Sequence, residues 1–224
     1  MKSFNAQSLI VESNSRLLMI GDSITDCDRA RPIGDESREN GLGHGYVALS
    51  AALLAATYPS SGIRFLNTGV SGDTVRDLKA RWPHDVLALR PDWLSIMIGI
   101  NDVWRWFDPY FWPMGRISEE EYEETLDDLI RKTLPGLKGL ILMTPYVIEP
   151  DRADPMRERM DRFGRLVERL AARHGALFVD TQAAYDAALQ GIPAAALAAD
   201  RVHPNLTGHM ILARAFLQGI GYRW

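Results

Sequence analysis

Ser23 lies directly after a run of apolar residues, within the segment Leu17–Asp26 (LLMIGDSITD). Gly21 and Asp22 separate the apolar run from the serine. Small polar residues commonly end a strand, so this segment alone is compatible with an ordinary turn. A serine presented at the end of a buried strand is also a candidate nucleophile for acyl transfer.

Acyl transfer by a serine needs a base, a group that orients the base, and hydrogen-bond donors for the oxyanion. His203 is a candidate base, and Asp200 precedes it by three residues, a spacing that lets one turn bring the two side chains together. Gly72 offers a backbone N–H that a ligand can approach closely, and Asn101 offers a side-chain amide. The backbone N–H of Ser23 completes three donors. Each of these residues alone is compatible with a turn or cap, so the prediction depends on their combination.

Five short apolar segments predict strands. They are Arg16–Ile20, Ile63–Asn67, Trp93–Ile100, Gly139–Thr144 and Ala176–Asp180. Segments with helical composition or periodicity alternate with them. These are residues 45–58, 74–89 with a break at Pro83, 118–134, 154–174, 181–190 and 207–217.

Strands that are apolar on both faces and alternate with helices indicate a parallel sheet covered on both sides. Such sheets bind ligands beyond the carboxyl ends of their strands. The loops at Gly21–Ser23, Asn67–Thr74 and Gly99–Arg105 follow strands, and Asp200–Asn205 lies between the last helices. We therefore expect all four to meet at one edge of the sheet. With no repeat or low-complexity linker, residues 1–224 are predicted to form a single α/β domain.

Composition narrows the possible partners. The chain has 224 residues and a formal net charge of −4, without a run of Lys and Arg, which argues against nucleic-acid binding. No apolar stretch approaches the roughly 18 residues of a membrane span, and the N-terminus lacks an apolar signal region, so we predict a cytoplasmic protein without membrane contact. The single cysteine, Cys27, excludes an internal disulfide and is expected to be a small buried or half-buried residue.

Four motifs resemble the signature blocks of the SGNH hydrolases, also called GDSL-type esterases: GDSITD, GVSGDT, GIND and DRVHP. The resemblance implies that Ser23 is the nucleophile, His203 the base and Asp200 its orienting acid. It also implies that Gly72, Asn101 and the Ser23 N–H form the oxyanion hole. The implied fold is a flavodoxin-like three-layer α/β/α sandwich with five parallel strands.

Longer segments, including TVRDLKARW, ILMTP and LFVDTQAA, resemble the intracellular bacterial acetylxylan esterases. That resemblance implies hydrolysis of acetyl esters on xylo-oligosaccharides through an acetyl-enzyme, and a homo-oligomeric assembly. No metal or cofactor is expected. Acidic residues near the serine at positions 22, 26 and 28 leave a metal site as an alternative, but no histidine cluster accompanies them.

Two features near these motifs have more than one interpretation. The segment Val103–Trp112 (VWRWFDPYFW) is strongly aromatic, and it is compatible with core packing, with a rim on which sugars stack, or with an oligomer interface. Trp104 in this segment is a candidate substrate-binding residue. His44 is a second candidate for the pocket, and a solvated loop histidine is the alternative.

Other functions remain compatible with the same motifs. A thioesterase or lysophospholipase uses the same triad on longer acyl chains. A carbohydrate-binding module that has lost its chemistry is expected to have a broken catalytic position, and none of the five positions is broken. A purely structural or partner-binding protein is expected not to react with a serine-directed phosphonate.

Overall fold

The computed structural model describes residues 9–110 and 115–224. In these ranges a six-stranded sheet has the order β2-β3-β1-β4-β5-β6. The strands are β1 (Arg16–Gly21), β2 (Gly34–Asp35), β3 (Arg64–Asn67), β4 (Trp93–Met97), β5 (Gly139–Met143) and β6 (Leu177–Val179). The helices are α1 (Ser23–Asp26), α2 (Tyr46–Thr57), α3 (Val75–Trp82), α4 (Ile100–Phe107), α5 (Glu119–Thr133), α6 (Pro155–His174), α7 (Thr181–Ala188) and α8 (Leu206–Gly219).

The predicted parallel sheet is confirmed, with one additional strand. Strands β1, β3, β4, β5 and β6 pair in parallel, whereas β2 pairs antiparallel with the end of β3. The expected count of five strands is therefore correct for the parallel strands but one short for the sheet. Strand β2 has only two residues, too few to produce the alternation or apolar run from which strands are predicted.

Helices cover both faces of the sheet and make three layers. On one side α8 contacts both α2 and α7. On the other side α5 contacts α3 and α6, and α6 also contacts α4. The central strands β1 and β4 are almost entirely buried, as their apolar sequences require when both faces are covered. A single domain over residues 1–224 stays a prediction.

The third predicted strand and the loop after it need correction. The strand ends at Met97, and residues 100–107 form helix α4 instead of an extension of the strand followed by a loop. Gly99 makes the sharp change of direction with φ at +133°, where a side chain is strained. The apolar run continues past the strand because Ile98 and Ile100 are also buried, so hydrophobicity alone does not show where the strand ends.

Caps explain where several helices begin. The Thr74 hydroxyl and the Asp77 carboxylate form a reciprocal capping box at α3, and Ser118 and Asp154 cap α5 and α6. After α3, residues Pro83–Leu87 form a short π-helical segment, at the predicted break. None of the helices in the described ranges combines the length and apolarity needed to cross a membrane.

Candidate active site

Three side chains from distant parts of the sequence form a continuous hydrogen-bonded chain. The Ser23 Oγ lies 2.9 Å from His203 Nε2, and His203 Nδ1 lies 2.6 Å from Asp200 Oδ2. A carboxylate at Nδ1 favours the tautomer that carries its proton there, which leaves Nε2 free to accept the serine proton. The arrangement suits a nucleophile, a base and an orienting acid.

Asp200 and His203 meet because of a local turn. The second carboxylate oxygen of Asp200 accepts the backbone N–H groups of Val202 and His203, at 2.9 and 2.8 Å. Burial favours a higher pKa for Asp200, but the hydrogen bonds from the His203 ring and from the two backbone N–H groups outweigh it and lower the pKa below its ordinary value. Asp200 therefore remains ionised beside the imidazole.

The nucleophile turn places Ser23 at the first position of α1, directly beyond the carboxyl end of β1. Asp22 caps this short helix by accepting the Ile24 N–H at 3.0 Å. A Cβ on Gly21 would lie 2.2 Å from the Met97 carbonyl oxygen and 2.5 Å from Thr25 Oγ1. The turn thus requires glycine at position 21, because only a residue without a side chain fits between β4 and α1.

Asp22 lies under the nucleophile and is fully buried. Burial raises its pKa to about 7, against the Ile24 hydrogen bond that lowers it, and nearby Asp102 and Asp73 raise it further. Asp102 shows the same effect, since burial raises its pKa to about 7 despite its hydrogen bond from the Val75 N–H. Two carboxyl groups of unusually high pKa therefore lie beneath the site.

The loop that contains Gly72 is fastened to the nucleophile turn. The Val70 N–H donates to the Gly21 carbonyl at 3.0 Å, and the Ser71 N–H donates to Asp26 Oδ2 at 2.9 Å. Gly72 itself has φ at +85°, where other residues are strained. Among the described residues other than its neighbours Ser71 and Asp73, Arg105 Nη2 is the one atom within 4 Å of a Cβ built on Gly72. The space beside this glycine is thus open to a reacting group.

Asn101 lies at the start of α4 and reaches the same loop. Its side-chain Nδ2 donates to the Asp73 carbonyl at 2.9 Å, and the residue is buried. An amide nitrogen carries two hydrogens, so one remains for a ligand. The structure thus brings Asn101 next to the residue that follows Gly72, and it brings the Gly72 loop to the turn of Ser23.

A cavity of about 300 Å³ opens over the serine and the histidine. Its lining is mostly polar and consists of Ser23, Ile24, Asp26, Cys27, Asp28, His44, Ser71, His203, Pro204 and His209. A larger cavity of about 520 Å³ lies beside α2, but the smaller one contains the hydrogen-bonded pair Ser23 and His203. We therefore take the smaller cavity as the candidate active site.

Comparison with known proteins agrees with this geometry. Residues 19–211 match the model of the GDSL-like Lipase/Acylhydrolase family. The chain belongs to this family. The predicted membership of the SGNH, or GDSL-type, hydrolases is thereby confirmed.

Individual family members are similar over almost the whole chain. An acetylxylan esterase of Geobacillus stearothermophilus is 56% identical over 214 residues, which are 96% of this chain and 97% of that protein. A crystal structure of that esterase superposes with a TM-score of 0.94 over 96% of this chain and 98% of the other. A protein from the metagenome of Lake Arreo, described as an alpha/beta hydrolase, is 52% identical, with a TM-score of 0.92 over 95% of this chain and 98% of its own.

The two candidate substrate-binding residues lie near the base and the cavity. His44 lines the cavity, with its Nδ1 3.6 Å from Asp28 Oδ2, and its side chain is 67% exposed. Trp104 is half-buried and meets the His203 ring edge-to-face, with ring centroids 6.0 Å apart. Both positions permit substrate contact, and both roles stay predictions.

The aromatic segment divides between several environments. Val103 is fully buried, and the Trp106 ring lies 3.8 Å from the Arg159 guanidinium carbon, so part of the segment serves packing. Phe107 is 40% exposed and Tyr110 is 79% exposed. The last two aromatic residues of the segment, Phe111 and Trp112, lie outside the described residues.

Cys27 and His209 form a thiol–imidazole contact in the lining of the same cavity, with Cys27 Sγ 3.3 Å from His209 Nε2. Cys27 is half-buried, as expected. Burial, followed by the charge of Asp26, raises the pKa of the thiol to about 12, and burial lowers the pKa of His209 to about 4. A neutral thiol beside a neutral imidazole is not an activated nucleophile, so Cys27 is a weaker candidate nucleophile than Ser23.

Two arginines that hold the loops of the site were not predicted from the sequence. Arg105 donates from Nη2 to the Gly72 carbonyl, and Arg81 donates to the Gly21 and Thr68 carbonyls at 2.8 and 2.5 Å. The spacing of Arg105, one helical turn after Asn101, becomes informative only once residues 100–107 are known to be helical. Arg81 has no comparable signal in the sequence.

The metal alternative finds no further support among residues 9–110 and 115–224. These ranges contain no group of three or more His, Cys, Asp or Glu side chains arranged to hold a metal ion. Asp26 is instead occupied by hydrogen bonds from Arg31, at 2.9 and 2.6 Å, and from the Ser71 N–H. A reaction without a metal or cofactor stays a prediction.

Proposed function

We propose that this protein is a serine esterase that removes acetyl groups from carbohydrates, with acetylated xylo-oligosaccharides as substrates. The observation that carries the proposal is the hydrogen-bonded chain from Ser23 through His203 to Asp200 in a small polar cavity. The 56% identity to an acetylxylan esterase supports the choice of substrate.

Solved structures of variants of that relative also support the assignment of the triad. Three of its solved structures are described as catalytic mutants, in which a serine, a histidine or an aspartate is replaced by alanine. The aspartate and the histidine lie three residues apart there, the spacing of Asp200 and His203 in this chain.

The first half of the reaction is acylation. His203 Nε2 takes the proton of the Ser23 hydroxyl while the Ser23 oxygen attacks the acetyl carbonyl carbon. The product of this step is a tetrahedral intermediate whose former carbonyl oxygen is an oxyanion. Asp200 stabilises the imidazolium that forms. His203 then donates this proton to the sugar oxygen, the bond between that oxygen and the acetyl carbon breaks, and an acetyl-enzyme remains.

The second half is hydrolysis of the acetyl-enzyme. His203 takes a proton from water, whose oxygen attacks the acetyl carbon and forms a second oxyanion. Collapse of this intermediate breaks the bond to Ser23, and His203 returns the proton to the serine oxygen. Acetic acid is released and loses its proton to the solvent to become acetate, and the enzyme regains its starting protonation state.

Three donors stabilise both oxyanions in this proposal: the backbone N–H groups of Ser23 and Gly72 and the side-chain amide of Asn101. The Ser23 N–H is at the first position of α1, where the helix itself provides no acceptor. The Gly72 N–H is the second donor, next to open space on that glycine, and the second hydrogen of the Asn101 amide is the third. Such preorganised donors lower the barrier because they need no rearrangement during the reaction.

Acyl-chain length separates the proposed esterase from its alternative, a thioesterase or lysophospholipase. The cavity of about 300 Å³ is at the lower end of the range for small-molecule sites, and its lining includes Asp26 and Asp28. Acetyl groups fit such a polar space, whereas long acyl chains need an apolar groove. Turnover should therefore be much faster on p-nitrophenyl acetate than on the octanoyl ester, and the reverse preference would favour the alternative.

A serine-directed phosphonate separates the esterase from a protein without chemistry. Wild type should gain the mass of one phosphonyl group, and Ser23→Ala should not. An unmodified wild type would support a carbohydrate-binding module or a partner-binding protein instead.

His44 and Trp104 are proposed to contact the sugar at the mouth of the cavity. Flat apolar sugar faces suit an indole ring, and the exposed imidazole can hydrogen-bond a hydroxyl. Replacing either by alanine should raise KM for acetylated xylose more than KM for p-nitrophenyl acetate, which lacks the sugar. An equal change for both substrates would contradict the assignment.

We also propose a cytoplasmic homo-oligomer. Phe107 and Tyr110 expose aromatic surface on the segment that follows Asn101, and aromatic residues are enriched at interfaces. Light scattering at micromolar concentration tests the assembly, since a monomer would exclude it. Cell fractionation tests the location.

A further inference from the structure

Arg81, at the end of α3, makes hydrogen bonds to four residues around the site. Its Nε donates to Asp73 Oδ2 at 2.5 Å, and its Nη2 donates to the Gly21 carbonyl at 2.8 Å. Its Nη1 donates to the Thr68 carbonyl at 2.5 Å and to Asp85 Oδ2 at 2.8 Å. The side chain is only 16% exposed, so solvent screens these contacts little.

The four partners belong to three separate parts of the fold: strand β1, the loop between β3 and α3, and the π-helical segment. Gly21 ends β1 and Thr68 follows β3, whereas Asp73 directly follows Gly72 in the loop before α3. Asp85 lies one turn beyond Arg81, in the π-helical segment. The arginine therefore bridges the strand that presents the nucleophile and the loop that contains Gly72.

The three proposed oxyanion donors all lie close to these contacts. The Ser23 N–H is two residues beyond Gly21, and the Gly72 N–H is one residue before Asp73. Asn101 donates its amide to the carbonyl of Asp73, whose carboxylate accepts from Arg81. One guanidinium group therefore joins the segments that contain the three donors, in addition to the backbone hydrogen bonds of Val70 and Ser71.

We infer that Arg81 is a positioning residue that sets the geometry of the oxyanion hole. It does not touch the reacting atoms; it acts by fixing the Gly21 and Asp73 segments relative to each other. The inference rests on the proposed function, because it needs the oxyanion hole formed by Ser23, Gly72 and Asn101. Oxyanion stabilisation depends on donors held in place before the reaction, and a displacement of about 1 Å can cost about 10²-fold in rate.

Lysine cannot replace this arginine. A guanidinium presents five N–H donors in a rigid planar fork, whereas an ammonium group is a compact charge with three donors. Arg81→Lys keeps the positive charge between Asp73 and Asp85 but cannot reach both carbonyls and both carboxylates together. The substitution therefore changes geometry with little change in net charge.

The test measures kcat and KM of Arg81→Lys on p-nitrophenyl acetate. We expect kcat to fall by about 10- to 10²-fold, with KM within about twofold of wild type, because the affected donors act on the transition state. Arg76→Lys is the matched control. It lies on the same helix, but its side chain is 43% exposed and binds Glu121, so its kcat should be unchanged.

A double variant separates this role from a general effect on folding. If Arg81 acts through the oxyanion hole, Arg81→Lys should cost much less in an Asn101→Ala background than in wild type, because both changes damage one unit. Additive losses, or a kcat for Arg81→Lys within about threefold of wild type, would overturn the inference.

A second variant covers the case in which Arg81→Lys does not fold. Asp73→Asn keeps the shape of the partner of Nε and removes its charge, and it should lower kcat in the same direction, again with little change in KM. An unchanged kcat for that variant would overturn the inference. Failure of the proposed function is a separate result, in which wild type and Ser23→Ala hydrolyse p-nitrophenyl acetate equally.

Discussion

Replacing Asn101 by alanine should abolish most of the activity while leaving the protein folded. One hydrogen of its amide bonds to the Asp73 carbonyl at 2.9 Å, and the other is assigned to the oxyanion. Loss of a single oxyanion donor typically lowers kcat by about 10²–10³-fold, or about 2.7–4 kcal/mol. Because the interaction strengthens in the transition state, kcat should fall with little change in KM.

The cost to stability should be smaller. Alanine leaves the buried Asp73 carbonyl without its hydrogen bond from Asn101, which destabilises a protein by about 1–3 kcal/mol. For a chain of this size each kcal/mol lowers Tm by about 2–4 °C. The variant should therefore be fully folded at 25 °C, so that its loss of turnover reports on catalysis.

The assay is steady-state hydrolysis of p-nitrophenyl acetate, together with a urea unfolding curve of the same preparation. Asn101→Asp is the matched variant, since it keeps the size of the side chain but replaces the donor by a carboxylate that repels the oxyanion. Its loss should equal or exceed that of Asn101→Ala. An alanine variant that keeps more than about a tenth of wild-type kcat would refute the role assigned to Asn101.

Three further predictions concern neighbouring positions. Asp200→Asn should lower kcat by about 10⁴-fold in steady-state assays, because His203 then loses the acceptor that fixes its tautomer; a loss below about tenfold would contradict this. The pKa of about 7 for Asp22 lies above its ordinary 3.8. Between pH 3.8 and 7 the folded protein therefore binds more protons than the unfolded chain, and the free energy of unfolding falls as the pH rises through that range. Urea unfolding at pH 5 and pH 8 should therefore show Asp22→Asn gaining stability relative to wild type at the higher pH, and a constant difference would be the contrary result. Gly72→Ala places a side chain at φ +85°, so it should lower the free energy of urea unfolding by about 1–2 kcal/mol and should also lower kcat. Gly136→Ala, with nothing within 4 Å of the added Cβ, should leave both quantities nearly unchanged.

Much of the fold could be predicted because apolar composition decides it directly. The five parallel strands lie within a few residues of their predicted bounds, because each contains a short apolar run, and β1, β4 and β5 are almost entirely buried. Strand β2 could not be predicted, because two residues are too few to show an alternating or apolar pattern. Helix α4 was not predicted because its first residues, after Gly99, have the composition of a turn.

The residues of the site also fall into those that could be predicted from the sequence and those that could not. The sequence indicated Ser23, Asp200 and His203 because their types and order match a known chemistry, and the structure joins them by hydrogen bonds. The hydrogen bonds from Arg81 and Arg105 to the Gly21, Thr68 and Gly72 carbonyls could not be predicted. Every residue has a carbonyl, so contacts of this kind are visible only when the chain is folded.

The central claim is that Ser23 hydrolyses acetyl esters on sugars, and acetate release from an acetylated xylo-oligosaccharide tests it most directly. Wild type and Ser23→Ala are compared side by side at equal concentration, after circular dichroism has shown that both are folded. The account predicts acetate release by wild type and a rate lower by about 10⁴-fold or more for Ser23→Ala. Equal release by both proteins, or none by wild type, would contradict it.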